Sequence, residues 1–231
     1  MIEENISNFD KAFDFFAIDM SHDDLYEFLK NGDLIQKQLA CVKISSINNQ
    51  AEAKILMENL TGIDGKVREA VSFKLRQFLS NSAELFRNEE FYKIFLDSII
   101  DINGNICRNI LDALLHLVQY PDFCEYFIRE ILSRMAEVLT TIESFNYKDK
   151  KYVTNKEVFK LYWYLETLAI FPSVPAEKLL PLLIRASEIQ EYTIREKIAQ
   201  LFKFLPKNEQ TQLEKILSDK NFYVKNALKT N

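Results

Sequence analysis

Two histidines, three cysteines and one tryptophan are the side chains from which a catalytic or metal centre would be assembled in these 231 residues. His22 and His116 stand 94 residues apart, and His116 lies between Leu115 and Leu117 in an apolar helical pattern. Cys107, His116 and Cys124 offer thiolate and imidazole ligands, but their spacing fits no common structural zinc pattern and supplies no fourth ligand. A Gly-rich phosphate loop, a metalloprotease helix motif, a nucleophile elbow and a paired CxxC are all missing from the sequence. These side chains therefore predict no catalytic residue, no metal and no cofactor.

Recognition chemistry is better represented. Tyr162, Trp163 and Tyr164 are consecutive, with Phe159, Lys160 and Glu166 within a turn. Three adjacent aromatics on a helix point in three directions, so at least one is expected to reach solvent or a neighbouring loop. Trp and Tyr serve as binding anchors, since each couples large apolar area to a polar tip. The competing reading is that these rings fill space beneath the polar link that precedes them. A second set is a row of cations, Arg68, Arg108, Arg195 and Lys225, each following an apolar residue at the opening of a helix. A cation in the first turn of a helix opposes the helix dipole, which predicts a carboxylate or carbonyl partner close by. Such a row either ties neighbouring elements together or offers charge to an acidic ligand.

The elements that must position these residues are amphipathic helices. Val67, Val71, Leu75 and Phe78 share one face, with Arg68, Lys74 and Arg76 off it. Cys107, Leu111, Leu114, Leu115 and Val118 repeat that pattern 40 residues on. The openings at Ile35, Val67, Cys107, Val158, Ile194 and Val224 are separated by 32, 40, 51, 36 and 30 residues. An earlier apolar helix and a polar turn precede each one. Ser21 with Asp24, Thr154 with Glu157, and Thr193 with Glu196 are read as helix-opening caps. Phe9, Ala12, Phe13, Phe16 and Ala17 predict a capping helix within residues 1–21, and the long step at 51 residues marks an inserted link at 146–154.

Composition agrees. Four glycines in the whole chain are too few for the turns of a large β-protein, which favours helices joined by short polar turns. The net charge of −5 is uneven, because residues 1–33 alone carry nine acids and two lysines. Such acidity argues against broad nucleic-acid binding, which depends on phosphate neutralisation. An odd number of cysteines in apolar patterns points to free thiols in a reducing compartment. With no basic leader segment and no apolar run near the ~20 residues that span a bilayer, the sequence predicts a cytoplasmic protein without a membrane segment.

These features resemble HEAT repeats. Leu180-Pro181-Leu182 resembles the family's kinked first helix. Ser218-Asp219-Lys220-Asn221-Phe222-Tyr223-Val224-Lys225 resembles its turn and second-helix start, and Val67-Arg68-Glu69-Ala70 the second-helix opening. The turn acid varies in place, at Asp64 four before Arg68 and at Asp101 seven before Arg108, and Phe159 stands where the basic residue belongs in the fourth copy. The resemblance implies an all-α right-handed superhelix, a solenoid of about five to six helix pairs over residues 1–231. It also implies that the cations form a structural ladder with the turn acids. The function expected from it is a non-catalytic scaffold that binds a protein or peptide on the concave face of the second helices, near Trp163. The alternative is a DNA-binding enzyme similar to the HEAT-like alkyl-base DNA glycosylases, whose cleft is cationic and tryptophan-lined with a catalytic Asp. A single Trp, an acidic chain and no matching motif stand against that alternative. A HEAT-like class that attaches bilin pigments has no mark here.

Overall fold

The structure, a computed structural model, describes residues 17–144 and 151–229, with backbone alone for 151–154. The expected capping helix at 1–21 lies almost wholly outside these residues, as does the first part of the 146–154 link. Every regular element among the described residues is helical. The chain forms two compact units, residues 1–117 and 118–231, each described by itself.

In the first unit, α1 (His22–Asn31), α2 (Leu34–Lys43), α3 (Gln50–Leu60), α4 (Gly65–Ser82), α5 (Glu89–Ser98) and α6 (Gly104–Leu114) alternate between two layers. Helix α1 packs on α3 and α3 on α5; α2 packs on α4 and α4 on α6; rungs α1–α2, α3–α4 and α5–α6 join the layers. The periodic apolar residues meet in the middle, where Leu29, Leu56, Met57, Leu75, Phe86 and Phe95 are shut off from solvent. The starts of these helices are fixed by short polar side chains. Ser21 and Asp24 form a reciprocal capping box on α1, as their spacing predicts, and Asp33 with Gln36 forms another on α2. Asn49, Asp64, Asn88 and Asn103 cap α3 to α6 through one acceptor oxygen each.

In the second unit, α7 (Pro121–Ser144) and α8 (Lys151–Leu168) pack as a long pair. Helix α9 (Ala176–Ser187) lies on α7, and α10 (Tyr192–Gln200) lies on α8 and α9. The short turns α11 (Lys207–Gln210) and α12 (Glu214–Leu217) lead to α13 (Phe222–Lys229), which packs on α10. Phe123, Phe127 and Phe171 form an aromatic centre, with ring centroids 4.5 to 6.3 Å apart. Helix α9 runs through Pro181 rather than stopping there, with the ring on the exposed side of the helix.

Two expected caps are corrected. Thr154 sits inside α8, which begins at Lys151, so the inserted link is shorter than 146–154. Thr193 is likewise interior: α10 starts at Tyr192 behind Glu191, with no side-chain cap. In both cases helical φ/ψ runs further toward the N-terminus than the Thr-x-x-Glu spacing implies.

One turn requires glycine for space. A Cβ on Gly32 would sit 2.4 Å from the Phe28 carbonyl oxygen and 2.9 Å from Gln36 Cβ, where α1 doubles back into α2. The first of those is backbone and cannot step aside. At Gly65 the nearest atom is Arg68 Nη2 at 3.8 Å, an ordinary contact distance. Gly32→Ala is therefore expected to lower the unfolding free energy by about 1–3 kcal/mol, while Gly65→Ala leaves it unchanged or slightly raised. Urea denaturation of the two variants side by side checks this; equal effects would refute the steric account.

Candidate functional site

The cations of the sequence pattern resolve into a ladder with a register of its own. Helix α4 is capped by Asp64, and Arg68 is the fourth residue beyond that cap. From there its guanidinium reaches back to the carbonyls of Gly62 and Ile63 at 2.9 and 2.7 Å. It also reaches across to Asp101 in the following turn, at 2.8 and 3.3 Å. Asp101 in turn accepts from the Asn103 backbone N–H at 2.8 Å, and Asn103 caps α6. The second unit repeats the Arg contacts, though α10 lacks a side-chain cap. Arg195 of α10 donates to the carbonyls of Ile189 and Gln190 and pairs with Asp219 at 2.5 Å. Asp219 accepts from Asn221 N–H at 2.8 Å, and Asn221 accepts from Tyr223 N–H at 2.9 Å. Burial alone would raise the Asp219 carboxyl, but the Asn221 N–H and the Arg195 hydrogen bond outweigh it and hold the pKa below its ordinary value.

The same position in α6 is Cys107, not Arg108. Asp64 and Asn103 are 39 residues apart, so Arg68 aligns with Cys107, whose thiol donates to the Asp101 carbonyl at 3.1 Å. Arg108 is exposed and donates to Asn105 Oδ1 at 3.3 Å rather than to a turn acid among the described residues. This corrects Arg108 as a ladder residue: counting from the apolar–basic pair shifts the frame by one, whereas counting from the capping residue does not. The cap count also finds a rung the basic pattern misses, Lys37 in α2, which donates to Asn59 Oδ1 at 3.0 Å. Lys225 holds the matching position in α13 and is exposed.

The aromatic cluster on α8 is differently placed from the expectation of a surface anchor. Trp163 is 5 % exposed and Tyr164 2 %, and only Tyr162 is half-buried. Trp163 stands edge-on to Phe159 and Tyr162, at 6.2 and 5.3 Å between centroids. Its indole Nε1 is buried without a hydrogen bond among the described residues. Lys160 is paired with Glu157 at 2.8 Å. Tyr162 lies under the Lys197 ammonium, 5.3 Å from ring to nitrogen, and Lys197 pairs with Glu166 at 2.5 Å. Burial pushes the Lys197 pKa down, but Glu166's hydrogen bond and charge prevail and hold it above its usual value. The helix puts these residues into its packed faces, and binding centred on Trp163 is corrected accordingly.

Exposed rings occur elsewhere, at Tyr192, Phe222 and Tyr223. Tyr192 opens α10 and Phe222 opens α13, one rung apart. They are 39 % and 74 % exposed, and Tyr223 is 55 % exposed. Tyr223 stacks on Tyr192 at 5.8 Å and meets Phe222 edge-on at 5.6 Å. In the first unit the corresponding first positions of α4 and α6 are Gly65 and Gly104. The clue in the sequence is aromatic residues directly after a cap, where no helix face yet exists to bury them.

The second unit also holds an open cleft of about 460 Å³, floored by Leu139, Ile142 and Ile189. Arg185 closes its rim by a two-pronged contact to Glu143 at 2.9 and 2.8 Å. The buried thiols of Cys41 and Cys107 are both pushed up to about 12, chiefly by desolvation, so they are held as neutral thiols. Among the described residues no three metal-ligating side chains gather, and no helix is long and apolar enough to cross a membrane. The chain matches no protein-family model and no curated protein.

Proposed function

We propose that this protein is a non-catalytic scaffold that binds a protein or peptide, built as a HEAT-like right-handed superhelix and working in the reducing cytoplasm. The paired layers of the first unit, and an Arg–Asp rung of the same form in each unit, Arg68–Asp101 and Arg195–Asp219, support the repeat reading. Each rung fixes the start of one second helix against the next, so the turns are held as a rigid edge. Rigidity matters for binding because a pre-ordered platform loses little conformational freedom when a partner arrives.

The observation that carries the binding role is the ring cluster Tyr192, Phe222 and Tyr223, which leaves apolar area in solvent at the starts of α10 and α13. Buried, each ring would contribute ~2 kcal/mol; left out, they are suited to an incoming surface. The binding edge is thus assigned to α10 and α13 rather than to Trp163.

Site-specific photo-crosslinking tests this. With benzoylphenylalanine in place of Tyr223, irradiation in the native host is expected to yield a protein adduct that disappears when Phe222→Ser is added. Nucleic acid in the adduct, as an enzyme acting on DNA would give, or no adduct at all, overturns the reading.

A further inference from the structure

The partner's chemistry follows from what surrounds the rings. Helix α13 buries Val224 and Ala227 against the unit. Its opposite stripe is Phe222, Lys225 and Lys229, spaced i, i+3 and i+7, so they share one outward face. Lys220 precedes them in the turn, and all three lysines are exposed and outside any ion pair among the described residues. The single acid from 217 to 231 is Asp219, and its charge is already taken by Arg195. At α10 the charged side chains are Glu191 at the cap, Glu196 and the paired Arg195, while Glu188 is bound to Lys215. The face of α13 is therefore aromatic and cationic, in a chain whose net charge is −5.

From this juxtaposition, and resting on the scaffold reading above, we infer that the α13 edge docks an acidic peptide segment carrying an aromatic or aliphatic anchor. The anchor lies against Phe222 and the Tyr192–Tyr223 stack, and the carboxylates face Lys220, Lys225 and Lys229. A symmetric contact with a second copy would set lysine against lysine, which costs affinity instead of adding to it. An oligonucleotide shares the negative charge and would stack on the rings, and so it serves as a competing outcome.

The test uses the full chain and synthetic dodecapeptides in fluorescence anisotropy. One set joins Phe and Leu anchors to glutamate, a second joins the same anchors to lysine, and a third to serine; labelled oligo(dT) is the fourth probe. The acidic set is expected to bind at least about tenfold more tightly than the basic one, with the preference falling as salt is raised. Lys225→Glu with Lys229→Glu, both on the solvent side, is expected to erase that preference and leave the serine set unchanged. Phe222→Ser is expected to weaken acidic and serine sets alike by about tenfold. No preference for the acidic set, or a preference untouched by the double reversal, overturns the inference. If a protein adduct still forms at position 223 in that case, the scaffold reading stands without it. Tight oligo(dT) binding with no peptide binding removes both.

Discussion

Trp163→Ala is expected to cost the second unit about 3–5 kcal/mol of stability. The ring is 5 % exposed and sits edge-on to Phe159 and Tyr162, so truncation opens a cavity along α8 that its helical neighbours cannot collapse to fill. The companion variant makes the point sharper. Trp163→Phe loses part of the ring, worth roughly 1 kcal/mol of cavity, but it also deletes an indole N–H that is buried without a hydrogen bond among the described residues. Burying an unsatisfied donor costs about 1–3 kcal/mol. The two terms oppose, and Trp163→Phe is expected within about 1 kcal/mol of the parent. Thermal or urea unfolding followed by far-UV circular dichroism measures both. A Trp163→Ala protein as stable as the parent would mean the ring is a surface anchor after all. A Trp163→Phe protein as damaged as Trp163→Ala would mean the indole N–H has a partner.

The difference between these two outcomes shows where sequence reading succeeds and where it stops. Helical class was legible because periodicity is local: Val67, Val71, Leu75 and Phe78 are spaced for one face, and all four are buried on α4. The Ser21–Asp24 cap was legible for the same reason, since both partners lie within one turn. The fate of Trp163 was not, because three consecutive aromatics define directions around a helix without defining which directions are covered. That depends on α10, whose Lys197 arrives over Tyr162 from 35 residues away. The exposed edge was hidden in the opposite way. Of Phe222, Tyr223 and Val224 only Val224 is buried, because the residues just past a cap precede the first turn that could shelter them. Ladder partners were half legible. A first-turn cation demands an acceptor, but that Arg68 takes the acid 33 residues ahead, not the adjacent Asp64, follows from Asp64 being occupied by the Lys66 and Val67 N–H groups.

That occupancy also sets the second large effect. Arg68→Ala is expected to destabilise the first unit by about 2–3 kcal/mol, because it strips partners from three groups at once. Asp101, 12 % exposed at its side chain, loses its counter-charge, and the Gly62 and Ile63 carbonyls lose their donor. Arg68→Lys is expected to recover only part of the loss, since a single ammonium cannot span a carboxylate and two carbonyls that the planar guanidinium reaches together. Asp101→Asn removes the charge but can keep the acceptor for the Asn103 N–H, so the double variant with Arg68→Ala is expected to be more stable than the sum of the singles by about 1–2 kcal/mol. Arg76→Ala supplies the control. Its pair with Asp112 is 3.3 Å long and half open to water, at 52 % and 44 % exposure, and its removal is expected to cost no more than about 0.5 kcal/mol. Hydrogen exchange of the α4 and α6 amides reads these changes within the unit concerned. If Arg68→Ala and Arg76→Ala leave those amides equally protected, the rung is a surface contact, and the rigid edge inferred for the repeats loses its physical basis.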